Sequence, residues 1–98
     1  MAEIRWTEEA YHWLRDIHDY IAADNPPAAQ KVVADIYEKV KILRRFSEIG
    51  HKLRSVPEGD IRTLLYGHYR IAYLFRRPST VEILGVFHGA LEMDRYLP

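Results

Sequence analysis

Two side chains in the C-terminal half of the chain have the chemistry of an anion-binding or catalytic site. Arg70 interrupts the apolar stretch YGHYRIAYLF at residues 66–75, and a planar guanidinium grips phosphate and stays charged at any working pH. His88 ends a later apolar run, in VFHGA, and imidazole is the natural acid or base near neutral pH. Each has a structural alternative. Arg70 can bond carbonyls of the C-terminal tail or pair with Glu82, and the His88 ring can bond the turn at Gly89.

Other candidate chemistries lack the necessary residues or spacing. The chain has no cysteine, which excludes disulfides and thiolate metal sites. His12 and His18 lie on one predicted helix at a spacing that puts them on opposite faces, so they cannot share a metal. The sequence contains no Gly-rich phosphate loop and no Ser-His-Asp arrangement. We therefore expect neither a metal nor a cofactor.

Charge is distributed unevenly along these 98 residues, although the net charge is zero. Residues 1–40 contain four Lys or Arg and eight Asp or Glu, residues 41–77 contain nine and three, and residues 78–98 contain one and three. This pattern predicts a positive face that meets phosphate or an acidic protein, the alternative being an ordinary solvated surface. The zero net charge favours the protein, because RNA-binding proteins usually carry a positive excess. The basic residues predicted for this face are Lys41, Arg44, Arg45, Lys52, Arg54 and Arg62.

A strand and two helices are predicted to come first. Glu3–Trp6 alternates as a strand does, and Thr7 can cap a helix that runs to about Asp24. Asn25 can then cap a second helix, with Pro26 at its first position. So short a linker predicts an antiparallel helical hairpin. The apolar residues predicted for its inner faces are Ala10, Leu14, Ile17 and Ile21, then Ala29, Val32, Val33, Ile36, Val40 and Leu43.

The second half of the chain alternates apolar runs with turn residues. Ile61–Tyr66, Tyr69–Phe75 and Thr80–Phe87 are predicted strands, and residues 51–56 can add a short edge strand. Tight reversals between them predict an antiparallel meander. The order β-α-α-β-β-β predicts one α+β domain over residues 1–98, with the helical hairpin packed on one face of a small antiparallel sheet.

The alternation of side chains along a strand predicts the position of Arg70. It shares a face with Ala72 and Leu74, whereas Ile71 and Tyr73 point the other way. The helices should cover the face with the larger apolar residues, so Arg70 should project from the open face. The strands are nearly continuously apolar, which implies that the open face is partly covered as well. A tail, a partner or a second copy can cover it, so a homodimer is one expectation.

This order of elements and three phrases resemble the RelE/ParE superfamily of toxins from bacterial type II toxin–antitoxin modules. The phrases are WTEEAYHWLRDIHDYIAADNPPAA, IRTLLYGHYRIAYLF and VEILGVFHGA, which together span nearly the whole chain. The YIAADNPPAA corner and the long helical hairpin look more like the ParE branch than the compact RelE ribonucleases.

The resemblance implies a small cytoplasmic toxin that an antitoxin encoded beside it holds inactive. ParE-type members poison DNA gyrase and are not known to hydrolyse anything, so we expect a gyrase-directed toxin rather than an enzyme. The alternative is a RelE-type, ribosome-dependent mRNA endoribonuclease, in which the arginine of a matching Y-R-hydrophobic-x-Y phrase helps hold the scissile phosphate. A member that keeps its antitoxin but has lost toxicity is a third possibility. The catalytic residues under the ribonuclease alternative are Arg70, His88, Tyr96 and Glu48.

The helical stripes and an exposed sheet edge offer an antitoxin a groove to fill with an amphipathic helix or strand. The N-terminus has no apolar stretch of signal-peptide length, so the cytoplasm is the expected location. The residues predicted to bind the antitoxin are Leu14, Ile17, Ile21, Val33, Ile36 and Val40.

Overall fold

The computed structural model describes residues 1–89 and 91–98. Two short 3₁₀ turns, Lys41–Arg44 and Met93–Tyr96, supplement the regular elements. The architecture is α+β, as predicted, and residues 51–56 form a full strand of the sheet. The regular elements in chain order are β1 (Glu3–Trp6), α1 (Glu8–Ala22), α2 (Pro26–Val40), β2 (His51–Val56), β3 (Gly59–Tyr66), β4 (Tyr69–Arg76) and β5 (Thr80–His88).

Both helices begin where the capping residues predict. The Thr7 hydroxyl accepts a hydrogen bond from the Ala10 amide at 3.1 Å and donates one to the Ile83 carbonyl at 2.7 Å, which ties the start of α1 to β5. The Asn25 side chain accepts from the Ala28 amide at 3.2 Å, with Pro26 at the first position of α2. These side-chain acceptors satisfy amides that have no partner within the helix.

The five strands are ordered β1-β5-β4-β3-β2. Strands β2 to β5 form the predicted antiparallel meander. Strand β1 differs from the prediction of an entirely antiparallel sheet, because it pairs with β5 in parallel. The connection from β1 to the rest of the sheet passes through two helices, and a connection of that length permits a parallel partner, as a tight hairpin does not.

Each face of the sheet is covered. The hairpin packs on one face, where Leu14, Ile36 and Val40 join Ile71, Tyr73 and Val86 in the larger core cluster. Trp13, Leu91 and Leu97 contribute to a second cluster around Ala72, Phe87 and Met93 on the other face. Residues 91–98, which we call the C-terminal tail, therefore cover much of the sheet face that the helices leave open, as the apolar strands predicted.

Tyr73 fixes the segment between α2 and β2. Its hydroxyl donates to the Ser47 carbonyl at 2.8 Å and accepts from the Gly50 amide at 3.0 Å, and the residue is fully buried. A Cβ atom at Gly50 would lie 2.6 Å from the Thr63 carbonyl oxygen and 2.7 Å from the Tyr73 hydroxyl. Glycine is therefore required at position 50 by close packing.

Candidate functional site

Arg70 lies under the C-terminal tail. Its Nη2 atom donates to the Leu91 carbonyl at 2.9 Å and to the Gly89 carbonyl at 3.3 Å. Its Nε atom is buried and has no hydrogen-bond partner among the described residues. Glu82, the other candidate partner, pairs with Arg76 instead. The side chain is thus placed as in the structural alternative, bonding carbonyls of the tail.

His88 lies on the opposite face of the sheet from Arg70. In the register of β4 and β5, His88 is opposite Tyr69, and the two rings meet edge to face at 5.9 Å. Arg70 is opposite Phe87. Because successive side chains of a strand alternate between faces, the backbone of the sheet separates the imidazole from the guanidinium.

The other two predicted catalytic side chains are elsewhere. Glu48 precedes β2 and lies 3.8 Å from Arg62 and 3.6 Å from Arg77. Tyr96 lies on the tail, with its ring 4.9 Å from that of Trp13. The structure therefore does not assemble the predicted group of Arg70, His88, Tyr96 and Glu48 into one site.

A largely apolar groove of about 590 Å³ lies between α1 and the edge where β4 begins and β5 ends. Tyr20, at its rim, is 84% exposed. Such a groove suits the apolar face of a partner helix. We call it the α1–β5 groove, and it is lined by Trp13, Asp16, Ile17, Tyr20, Ile21, Tyr69, Val86, His88 and Leu91.

The six residues predicted to bind the antitoxin lie at different depths in the structure. Leu14, Ile36 and Val40 are 4%, 0% and 2% exposed, so they support the core and offer a partner almost no surface. Ile17 and Ile21 line the α1–β5 groove. The prediction took its six binding residues from the apolar faces of both helices, whereas the positions nearest the sheet hold the helices on it.

Val33 lines a separate depression between the helices, and Trp13, Tyr20 and Tyr69 were not among the residues predicted to bind the antitoxin. A signal for two of them exists in the sequence, because the seven-residue spacing of Trp13 and Tyr20 places both on the helical face of Ile17. Nothing local identifies Tyr69, which reaches the groove only through strand pairing.

The predicted positive face is mostly neutralised within the molecule. Arg62 donates to the Glu48 and Gly50 carbonyls at 2.8 and 2.9 Å and pairs with Asp60 at 3.1 Å. Lys52 lies 3.6 Å from Asp60. Four of the six predicted basic residues therefore have acidic or carbonyl partners, counting also the contacts of Lys41 with Glu38 and of Arg54 with Asp94 and the Pro98 carbonyl.

Arg44 and Arg45 differ from the other four. Both are exposed, and neither side chain forms an ion pair or hydrogen bond with the part of the chain that the structure describes. Only these two of the six predicted cations are therefore available to a partner without breaking an internal contact.

Asp60 is the centre of the largest charge cluster in the described residues, although its position was not among the predicted site residues. The residue is 3% exposed, and Arg77 and Arg62 each approach its carboxylate to 3.0–3.1 Å. The hydrogen bonds from Arg77, followed by those from Arg62, hold its pKa at about 2 against the effect of burial. The carboxylate thus stays ionised and joins β3 to the end of β4.

Stability should depend on the charge of Asp60. Its pKa falls from 3.8 to about 2 on folding, so the stabilisation is complete above pH 4 and is lost as pH falls toward 2. We expect Asp60→Asn to lower the melting temperature at pH 7 by at least about 5 °C, because the mostly buried Arg62 loses its nearest counter-charge and keeps only Glu48, at 3.8 Å. Urea unfolding of both proteins from pH 7 to pH 2.5 measures the dependence.

The difference in free energy of unfolding between wild type and Asp60→Asn should shrink as the pH falls from about 4 toward 2.5. Arg77→Gln keeps the carboxyl group but removes the partner with the largest effect on it, so we expect this variant to lose stability at a higher pH than wild type. A difference between wild type and Asp60→Asn that stays constant from pH 7 to pH 2.5 contradicts the prediction.

No group of three or more His, Cys, Asp or Glu side chains in residues 1–89 and 91–98 is placed to hold a metal ion. Within the same ranges, no helix has the length and apolar character needed to cross a membrane.

Comparison with known proteins identifies similar sequences. A family model described as the ParE toxin of the type II toxin–antitoxin system parDE matches residues 4–93. The protein Y4kP of Sinorhizobium fredii strain NGR234 is 34% identical over 96 residues, covering 96% of this chain and 95% of that protein.

Two solved structures share the fold. The chromosomal ParDE toxin–antitoxin system from P. aeruginosa contains a chain with a TM-score of 0.73 and 26% identity, covering 90% of this chain and 96% of that one. A chain of the RelBE2 toxin–antitoxin complex from Mycobacterium tuberculosis has a TM-score of 0.66 and 27% identity, covering 89% and 96%.

Proposed function

Since the chain belongs to the ParE toxin family of type II toxin–antitoxin systems, we propose that it arrests growth by acting on DNA gyrase through protein–protein contact. The observation that carries this proposal is the separation of Arg70 from His88 by the sheet. A nuclease of the ribosome-dependent kind needs a cation and an acid or base on one scissile phosphate. The position of the two candidates on opposite faces of the sheet argues against their acting on a common phosphate.

The basic residues support the same choice. Arg70 bonds the Gly89 and Leu91 carbonyls, and four of the six cations in the predicted positive face have internal partners. Binding to ribosomal RNA depends on cations that are free to neutralise phosphates. A protein target makes no such demand.

One observation favours the second candidate function, a RelE-like ribosome-dependent mRNA endoribonuclease. The RelBE2 chain is about as similar in sequence, at 27% identity, as the ParDE chain at 26%. In this alternative the tail moves away from Arg70, and the buried Nε atom that has no partner among the described residues becomes available to a phosphate oxygen.

We also propose that a cognate antitoxin neutralises this toxin by filling the α1–β5 groove. The two solved relatives are both toxin–antitoxin complexes. Ile17 and Ile21 give the groove an apolar floor along one helix, and Tyr69 closes its side. An amphipathic helix that places apolar residues one turn apart would cover this surface.

One experiment tests the choice of target. The toxin is induced without its antitoxin, and mRNA ends are mapped in the same cultures that supply plasmid DNA for measurement of supercoiling. We expect lost supercoiling, DNA cleavage trapped on gyrase and intact mRNA. Purified gyrase should be inhibited by the purified chain.

The opposite result would be mRNA cut at regular codon positions while supercoiling is unaffected. That result replaces the gyrase proposal with the endoribonuclease, and it requires a conformation in which the tail leaves Arg70.

A further inference from the structure

The segment that follows α2 presents three large apolar side chains to solvent. Ile42, Phe46 and Ile49 are 36%, 58% and 52% exposed. The Phe46 amide donates to the Ile42 carbonyl at 3.0 Å, and the Ile49 amide donates to the Phe46 carbonyl at 3.1 Å. Each residue is therefore one turn beyond the last, which arranges the three side chains as a stripe.

This stripe is held rigidly. Leu43, within the same segment, is fully buried, and the Ser47 hydroxyl donates to its carbonyl at 2.7 Å. Tyr73 fixes the Ser47 carbonyl from the core, and the Ala2 amide donates to the Arg44 carbonyl at 2.8 Å. The backbone that carries the stripe is therefore well anchored. Little of its conformational freedom remains to be lost when a partner binds.

The charge around the stripe is positive. Arg44 and Arg45 lie between Ile42 and Phe46, are exposed and are not paired with any described side chain. Glu48, the acidic residue of the segment, has its carboxylate within 3.6–3.8 Å of Arg77 and Arg62, so its charge is balanced. We call Ile42, Arg44, Arg45, Phe46 and Ile49 the basic–apolar patch.

We propose that the basic–apolar patch is the surface through which the toxin contacts its target protein, and that it binds a region where carboxylates flank apolar side chains. Two exposed arginines match carboxylates, and anchored aromatic and aliphatic residues form the kind of cluster that dominates interface energetics. A nucleic acid backbone would pair with the arginines but would leave Ile42 and Ile49 without apolar partners. This inference rests on the proposed function, which supplies a protein target.

The position of the patch separates it from the proposed antitoxin groove. It follows the C-terminal end of α2, which in an antiparallel hairpin lies beside the N-terminal end of α1. Ile17 and Ile21 are in the C-terminal half of α1. The two surfaces are therefore at opposite ends of the hairpin and can be altered independently.

Two double variants test the patch. Phe46→Ser/Ile49→Ser removes apolar surface, and Arg44→Glu/Arg45→Glu reverses the charge. The matched controls are Leu65→Ser, since Leu65 is 64% exposed elsewhere, and Arg15→Glu/Lys39→Glu on the exposed side of the helices. We expect both patch variants to need at least about 10-fold more protein for half-maximal inhibition of purified gyrase, and to lose growth arrest. Melting temperature and co-purification with the antitoxin should match those of the controls.

Three results would overturn the inference. The first is that the patch variants inhibit gyrase and growth as wild type does, and the second is that they no longer co-purify with the antitoxin. The third result is that wild type binds a labelled DNA duplex and the patch variants do not, which would make the patch a nucleic-acid surface. The proposed function fails in a different way. If wild type arrests growth without inhibiting gyrase but the patch variants do not arrest growth, then gyrase is the wrong target and the patch is still the contact surface. A wild-type chain that arrests no growth overturns both.

Discussion

Replacing Ile17 and Ile21 together with glutamate is expected to weaken binding of the antitoxin encoded beside this gene by at least about 100-fold, or about 2.7 kcal/mol. Both side chains line the α1–β5 groove, and two carboxylates there would be desolvated by an apolar partner without receiving a counter-charge. The helix should persist, because glutamate is a good helix former and both positions are only partly buried. Titration calorimetry with the purified antitoxin measures the loss.

A matched control comes from Leu65, which is apolar and exposed but lies outside the groove. Leu65→Glu adds a carboxylate to the surface and should leave antitoxin affinity within about 3-fold of wild type. In cells, the Ile17→Glu/Ile21→Glu variant should remain toxic when antitoxin is co-expressed, since it folds but escapes neutralisation. Undiminished affinity in this variant would place the antitoxin on another surface, such as the depression near Val33.

Arg70→Ala is expected to lower the free energy of unfolding by about 1.5–3 kcal/mol, the usual range for hydrogen bonds that involve a charged group. The substitution removes the donor to the Gly89 and Leu91 carbonyls and loosens the tail, whose Met93 packs in one cluster with Phe87. Toxicity should then decline in proportion to the fraction of folded protein. Chemical denaturation and growth assays on the same variants measure the two quantities.

Arg70→Met separates the two roles of the side chain. It keeps most of the apolar stem that packs under the tail but has no guanidinium. If Arg70 is structural, Arg70→Met should be more stable than Arg70→Ala but less stable than wild type, and its toxicity should be intermediate as well. If Arg70 binds a phosphate, both variants should fold well yet lose activity by about 3 kcal/mol of transition-state stabilisation. That second pattern contradicts our prediction and favours the endoribonuclease.

The local signals in the sequence located the elements closely. Thr7 and Asn25–Pro26 mark the starts of α1 and α2, and the predicted strands at Ile61–Tyr66 and Tyr69–Phe75 differ from β3 and β4 by at most two residues at an end. The sequence also placed Arg70 on the face away from the helices. These features depend on capping, turn formation and alternation of side chains, which involve residues within a few positions of one another.

The candidate site was harder to predict, because its members come from distant parts of the chain. No local pattern placed His88 on a different face from Arg70, since that requires the register of β4 with β5. It also could not distinguish Ile17, which lines the groove, from Ile36, which is fully buried. Both are apolar positions on a helical stripe, and only packing against the sheet decides which one a partner can reach.

The amino-acid sequence by itself determined the kinds of elements, their order and the family to which they belong. The tertiary structure decided which charges are free. Arg54 bonds Asp94 and the Pro98 carbonyl, about forty residues away in the chain, and Asp60 pairs with Arg77 at the end of the next strand. Arg44 and Arg45, by contrast, contact no acidic side chain among the described residues. The physical reason is that a cap or turn forms between neighbours in sequence, while an ion pair requires two side chains to be brought within about 4 Å by the folding of everything between them.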